Sequence, residues 1–289
     1  MRETPMIKNR TTSLAVIIFV YILAAFCGLF TYNYLTDIYS FSYQPALFLA
    51  DVIATVLVFI FSLIFRNASV YDPYWSVQPP VILGLALEKV DSDNPLFGCL
   101  LFTAVLFWGL RLTANWCYNF KSFEYQDWRY VMLKEKSGIL YPFVNLMGIH
   151  MFPTCVVYLC VLPAVTAIAE GAELKPVCLA FIALSIAAAA FQGIADIQMH
   201  KFRASGVGSF IRTGLWKHGR HPNYACEILM WWGIGLASVI ALGWENWYLL
   251  AGAALNTLMF LFISIPMADK RQSRKPGFAE YKKETRLLF

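Results

Sequence analysis

The stretch "GLWKHGRHPNYACEILMWWG", Gly214–Gly233, carries the change of character on which the fold turns. Its first half is a basic loop with Lys217, His218, Arg220 and His221. Pro222 comes next, and proline suits the first turn of a helix because its missing N–H would have no partner there. Beyond it the run is apolar enough to enter a bilayer, apart from Glu227 about one turn in. A basic loop, a proline start and an apolar run together form the mouth of a transmembrane helix. Charges inside such helices cost at least ~2.5–3.5 kcal/mol on insertion scales, so the acid needs a partner or a task.

The same pattern recurs along the chain. Its 289 residues are 59% hydrophobic, 16% aromatic and 14% charged, whereas a soluble domain is about a quarter charged. Apolar runs long enough to cross hydrocarbon are expected near 12–35, 46–66, 95–118, 143–168, 176–199, 223–243 and 247–267, with a shorter one at 77–88. The expected architecture is all-α: one integral membrane domain over 1–289, a polytopic bundle of eight spans, or of seven if 77–88 does not cross. The polar Met1–Arg10 segment and the long apolar stretch after it do not read as a cleavable signal.

With eight spans and a cytoplasmic N-terminus, 20 of the 23 lysines and arginines fall on the cytoplasmic side; Lys89, Arg111 and Lys175 are the exceptions. Both termini are therefore expected in the cytoplasm, of a bacterial inner membrane or the endoplasmic reticulum. The net charge of +5 concentrates in 200–222 and the tail, a membrane-side bias that needs no nucleic-acid partner. The seven cysteines lie in or beside spans without a C-x-x-C pair, and the four histidines form no H-E-x-x-H, so no metal is expected.

Polar residues gather at helix spacing in the second half. Arg111, Asn115 and Asn119 recur every four residues, one face of the fourth span. In "FQGIADIQMHKFRASG", Gln192, Asp196, His200 and Arg203 fall at steps of four, four and three, again one ridge. An acid, an imidazole and a guanidinium on one ridge can meet the hydroxyls and phosphates of a nucleotide, or form an internal Asp–Arg or Asp–His pair. Asn223 and Glu227 stand one turn apart behind Pro222, where a helix N-terminus favours phosphate. Glu227 suits an amide, a ribose hydroxyl or an arginine better than a phosphate. The tail "DKRQSRKPGFAEYKKET" adds Lys270, Arg271, Arg274 and Lys275. Asp51 has no evident partner. Asp72 opens a turn in "VYDPYWSVQPP", and Pro79-Pro80 is expected to break or start a helix.

"GLWKHGRHPNYACEILMWWG" with "DKRQSRKPGFAEYKKET" resembles the C-terminal region of the steroid 5α-reductase-like membrane proteins. "YDPYWSV" and "WGLRLTANWCYNFKSFEYQDWRY" are similar to an uncharacterised prokaryotic-type branch of it, over roughly 70–289. The resemblance implies a seven-helix core, here 46–289, with 12–35 as an added N-terminal span. It also implies NADPH bound on the cytoplasmic side and a lipid, sterol or steroid-like enone arriving from the bilayer. Cofactor contacts are then expected from Arg111, Asn119, Asp196, His200, Arg203, Lys217, Arg220, His221, Asn223, Tyr224, Glu227 and Arg271. The steroid reductases carry a Gln-Glu pair where this chain has Gln78-Pro79, and a helper tyrosine falls on Trp108. Polarising a carbonyl then passes to Gln78 and Tyr74, with Tyr118 and Tyr125 as substitutes. The expected activity is NADPH-dependent reduction of a C=C bond. The "RHPxY" entrance is shared with membrane methyltransferases of the isoprenylcysteine type, which use S-adenosylmethionine, and that activity is one alternative. A non-catalytic lipid-binding protein is the other.

Overall fold

The computed structural model describes residues 7–89 and 95–288, and within them every extended element is helical. The helices are α1 Arg10–Tyr39, α2 Tyr43–Ile64, α3 Tyr74–Lys89, α4 Leu96–Asn119, α5 Trp128–Ala169, α6 Pro176–Ala204, α7 Pro222–Leu242, α8 Trp244–Gln272 and the short α9 Phe278–Glu284. Seven of these, all but α3 and α9, are long and apolar enough to cross a membrane among the described residues. The protein is an all-α, polytopic integral membrane protein. The run expected at 77–88 is helical, but α3 has 16 residues and spans only about 24 Å at 1.5 Å per residue, short of the ~30 Å core.

Two boundaries differ from the sequence reading. α3 passes through Pro79 and Pro80 instead of breaking there. Its start is held one turn upstream, where the Ser76 and Val77 N–H groups both donate to the Pro73 carbonyl at 3.2 Å. The segment before 143 is not a loop. α5 begins at Trp128, where the Asp127 carboxylate caps the Arg129 N–H at 2.8 Å, and it passes through a π-helical stretch at Asn145–Met151.

The chain groups into two compact units. The first comprises residues up to Ile82 together with Leu112–Tyr158. In it α1 turns Ser13, Ile17, Val20, Ala24, Gly28 and Tyr32 inward, a stripe repeating every three or four residues. Its outward residues include Phe19, Ile22, Phe26 and Phe30. Small residues inside and large apolar ones outside invert a soluble helix and suit a lipid-facing one. α2 answers with Ala46, Ala50, Ala54, Val58 and Ser62.

The second unit comprises Leu83–Arg111 and everything from Leu159 onward. Its centre is the pair α6 and α7. They approach closely because Gly233 has no side chain: a Cβ there would lie 2.7 Å from the Phe181 carbonyl oxygen. The gap lets the Ser185 hydroxyl donate to the Met230 carbonyl at 2.9 Å. At the far end of α7, Trp244, Trp247 and Tyr248 are exposed, as in an aromatic belt at a membrane surface.

Candidate functional site

Within the second unit, the acid of the opening stretch is at the centre of a polar cluster. Glu227 is the sixth residue of α7 and 2% exposed. It accepts from Trp108 Nε1 at 2.9 Å, Gln192 Nε2 at 2.8 Å and Trp231 Nε1 at 3.0 Å. Trp231 lies one turn further along α7, and Trp108 meets it edge to face with ring centres 4.9 Å apart. The Arg111 guanidinium lies 4.0 Å from Glu227. It donates to Asp196 Oδ2 at 2.8 Å and to Gln192 Oε1 at 2.6 Å, its stem resting on Gly193. Glu227 and Asp196 thus share one arginine, and Gln192 bridges the two halves. The apolar surroundings strengthen each bond and make any loss expensive.

This geometry replaces the Asp196–Arg203 pairing considered from the ridge: Asp196 pairs with Arg111. Two groups in the cluster keep unused capacity. Arg111 Nε is buried without a partner, and Asp196 Oδ1 makes no hydrogen bond among the described residues. Beside it Arg203 is exposed at the end of α6, within electrostatic range of Asp196 and of Lys275. Burial, and after it the charges of Arg271 and Arg203, hold the Lys275 ammonium below the ordinary lysine value. Three cations therefore gather where α6 and α8 end. Lys275 is oriented by the Ser209 carbonyl at 2.6 Å.

The basic loop before Pro222 divides into fixed and free groups. His221 Nε2 lies 2.9 Å from Asp269 Oδ1, and Arg220 and Lys282 each approach Asp269 Oδ2 at 3.5 Å. Arg220 also donates to the carbonyls of Lys282 and Thr285 at 3.1 and 2.8 Å. Tyr224 stacks on His221 with ring centres 5.3 Å apart. Arg220, His221 and Tyr224 therefore tie the loop to α8 and to the C-terminal segment. Lys217 is exposed. Asn223 is half-buried at the first N–H of α7, and neither its N–H nor its amide is bonded among the described residues. His200 is half-buried one turn beyond Asp196.

The remaining predicted residues fall in the first unit. Asn119 is exposed and donates to the Asn115 carbonyl at 2.8 Å. Tyr74 and Gln78 meet on the acid for which the sequence offered no partner: Tyr74 donates its hydroxyl to Asp51 Oδ1 at 3.0 Å, and the Gln78 amide donates to Asp51 Oδ2. All three are buried. Tyr118 and Tyr125 are exposed. At the turn before α3, Asp72 accepts from Tyr130 at 2.5 Å and Trp116 at 3.4 Å. Burial pushes its carboxyl up to about 6, against the pull of Arg129 and the Tyr130 hydrogen bond.

Sequence reasoning left out Trp108 and Trp231 as partners of Glu227, and Asp269 as the anchor of His221. The first two had a faint signal, since Trp231 is four residues after Glu227 and Trp108 three before Arg111. Among the described residues no group of histidine, cysteine and acid side chains is arranged to hold a metal ion. The family described as "Protein of unknown function (DUF1295)" matches residues 58–285. No curated protein and no solved structure matches the chain.

Proposed function

The chain belongs to the DUF1295 family, and on that premise we propose that it is an NADPH-dependent reductase of a C=C bond in a membrane-soluble lipid or sterol-like enone. The family match covers the residues that resemble the steroid 5α-reductase-like proteins. The observation that carries the reading is the gathering of Arg203, Arg271 and Lys275 where α6 and α8 end, with Arg203 in electrostatic range of Asp196. A polyphosphate explains that much positive charge better than a sulfonium cofactor does.

The chain's own groups fit such a cofactor. Arg203, Arg271 and Lys275 hold phosphate, and the Asn223 N–H adds the positive end of α7. Asp196 Oδ1 accepts from a ribose hydroxyl. Glu227, Trp108 and Gln192 hold Arg111 and Asp196 in place and keep water out. When bound, the nicotinamide supplies the hydride. Tyr74 and Gln78, the catalytic residues expected from the sequence, meet on Asp51 in the first unit. The basic loop before Pro222 and the basic tail, separated by the two spans α7 and α8, share one face, the cytoplasmic one by their positive charge, where NADPH is found. Lipid-facing α1 is an addition to the core.

A non-catalytic lipid-binding protein is favoured by one observation: Arg111, Asp196, Gln192 and Glu227 largely satisfy one another without a ligand. Titrating the detergent-purified protein with NADPH by fluorescence separates the readings. Saturable binding that weakens about tenfold in Arg203→Ala, the loss of roughly one charge-assisted phosphate contact, is expected. Absence of binding by folded protein would sink the reductase.

A further inference from the structure

Among the described residues of the first unit, three buried side-chain atoms have no hydrogen-bond partner: Gln78 Oε1, Asn145 Oδ1 and His150 Nε2. The last two stand together on α5. Asn145 opens its π-helical stretch and His150 follows five residues later, both of them buried. A π-helix bonds residue i to i+5, so one turn brings these two side chains to the same side. The His150 Nδ1 accordingly lies 2.9 Å from the Asn145 carbonyl oxygen. Such turns are frequent at functional sites.

The partners these residues do have fix the role left to each free atom. A carbonyl only accepts, so Nδ1 carries the His150 proton and Nε2 is a bare acceptor. Among the described residues no acid pairs with His150, and an imidazolium there would be a charge in a span without a counter-ion. The Asn145 Nδ2 donates to the Ser62 hydroxyl at 3.1 Å, which itself donates to the Phe59 carbonyl at 2.7 Å. The amide oxygen of Asn145 is therefore a second bare acceptor. Two buried acceptors call for a water or a ligand with hydrogens to give. With no carboxylate bonded to either residue, a neutral hydroxyl suits them better than an ammonium. The walls are aromatic: the Tyr71 and His150 ring centres are 4.7 Å apart, and Phe59 meets His150 edge-on at 5.5 Å. Tyr71 is buried, whereas Phe59 is half-buried beside exposed Ile60 and Leu63 on α2.

We propose that this turn binds a neutral lipid whose head carries a 1,2-diol, of the monoacylglycerol type, one hydroxyl donating to His150 Nε2 and the other to Asn145 Oδ1. Two donors answer two acceptors, and a lone alcohol leaves one of them bare. The depth suits such a ligand. His150 lies about 10 Å along α5 from residue 143, where the apolar run begins, so a head held there keeps its chain in hydrocarbon. Phe59, which borders the lipid, is the wall the head passes. The site lies wholly within the first unit and does not rest on the reductase reading.

Solid-state nitrogen NMR of the full chain, labelled at its four histidines and reconstituted in phosphatidylcholine, tests the site. That lipid has no O–H or N–H to donate, and the His150 Nε2 signal is assigned by its loss in His150→Gln. Dodecane-1,2-diol should move this signal upfield saturably, while 1,2-dimethoxydodecane, which cannot donate, should leave it in place. Half-saturation should need about tenfold less diol than 1-dodecanol, the worth of one further hydrogen bond, and Asn145→Leu should abolish that ratio. A signal moved equally by the diether overturns the proposal. So does one already at its hydrogen-bonded position in lipid alone and unmoved by the diol, the mark of a buried water. A diol that binds no better than the alcohol, or a ratio that persists in Asn145→Leu, also overturns it. The wild-type comparison of diol with alcohol decides by itself if Asn145→Leu does not fold.

Discussion

Replacing Glu227 by glutamine changes one atom of the side chain and removes the acceptor around which the second unit's cluster is built. The carboxylate takes three N–H donors, two on Oε2 and one on Oε1. An amide has one acceptor oxygen. The least costly orientation keeps that oxygen where Trp108 and Gln192 converge and turns the NH₂ toward the Trp231 N–H. Two donors then face each other in a buried site, at about 1–3 kcal/mol. The other two bonds fall from charge-assisted to neutral, and Arg111 keeps only Asp196 as counter-charge. The expected total is about 3–5 kcal/mol, the usual cost of breaking a buried ionic group. Trp231→Phe removes the conflicting N–H, so it should destabilise the wild type by about 1–2 kcal/mol and the Glu227→Gln variant by nearly nothing. That difference, a coupling of about 1–2 kcal/mol, is measurable by denaturant unfolding in mixed micelles followed by far-ultraviolet circular dichroism. Additive effects of the two substitutions, or a Glu227→Gln variant as stable as wild type, refute the cluster.

Gly252→Ala places a Cβ 2.1 Å from the Leu159 carbonyl carbon and oxygen, backbone that no rotamer change can clear. A loss of at least ~3 kcal/mol, seen as a collapse of the monodisperse fraction on size exclusion, is expected. Asp72, with its carboxyl raised to about 6 from 3.8, is bound better protonated than ionised. Its contribution is fully favourable below about pH 4 and is lost as pH rises through 6. Relative to the wild type, Asp72→Asn should gain up to ~3 kcal/mol across that window. Unfolding measured at pH 4.5, 6 and 7.5 checks it, and a difference that stays flat with pH contradicts the assignment.

The span-forming helices were legible because an apolar run of twenty residues has little other use. The charged first turns of α5, with Lys134, Glu135 and Lys136, read as a loop because their helicity comes from the Asp127 cap and not from an apolar period. The ridge on α6 was legible as a face, yet its main partner, Arg111, lies 85 residues from Asp196. Periodicity says which residues share a face and not which face they meet. Asp51 looked isolated for the same reason, since Tyr74 and Gln78 reach it from 23 and 27 residues away. Arg220 and His221 read as ligand contacts because their tether, Asp269, is 48 residues beyond His221.

Isothermal titration of the purified protein with NADPH tests most directly the proposal that the second unit holds a polyphosphate dinucleotide. The account predicts saturable binding, weakened about tenfold or more in Arg203→Ala and Arg271→Ala while both variants stay folded. Folded wild-type protein that releases no heat and gives no fluorescence change with NADPH would contradict it.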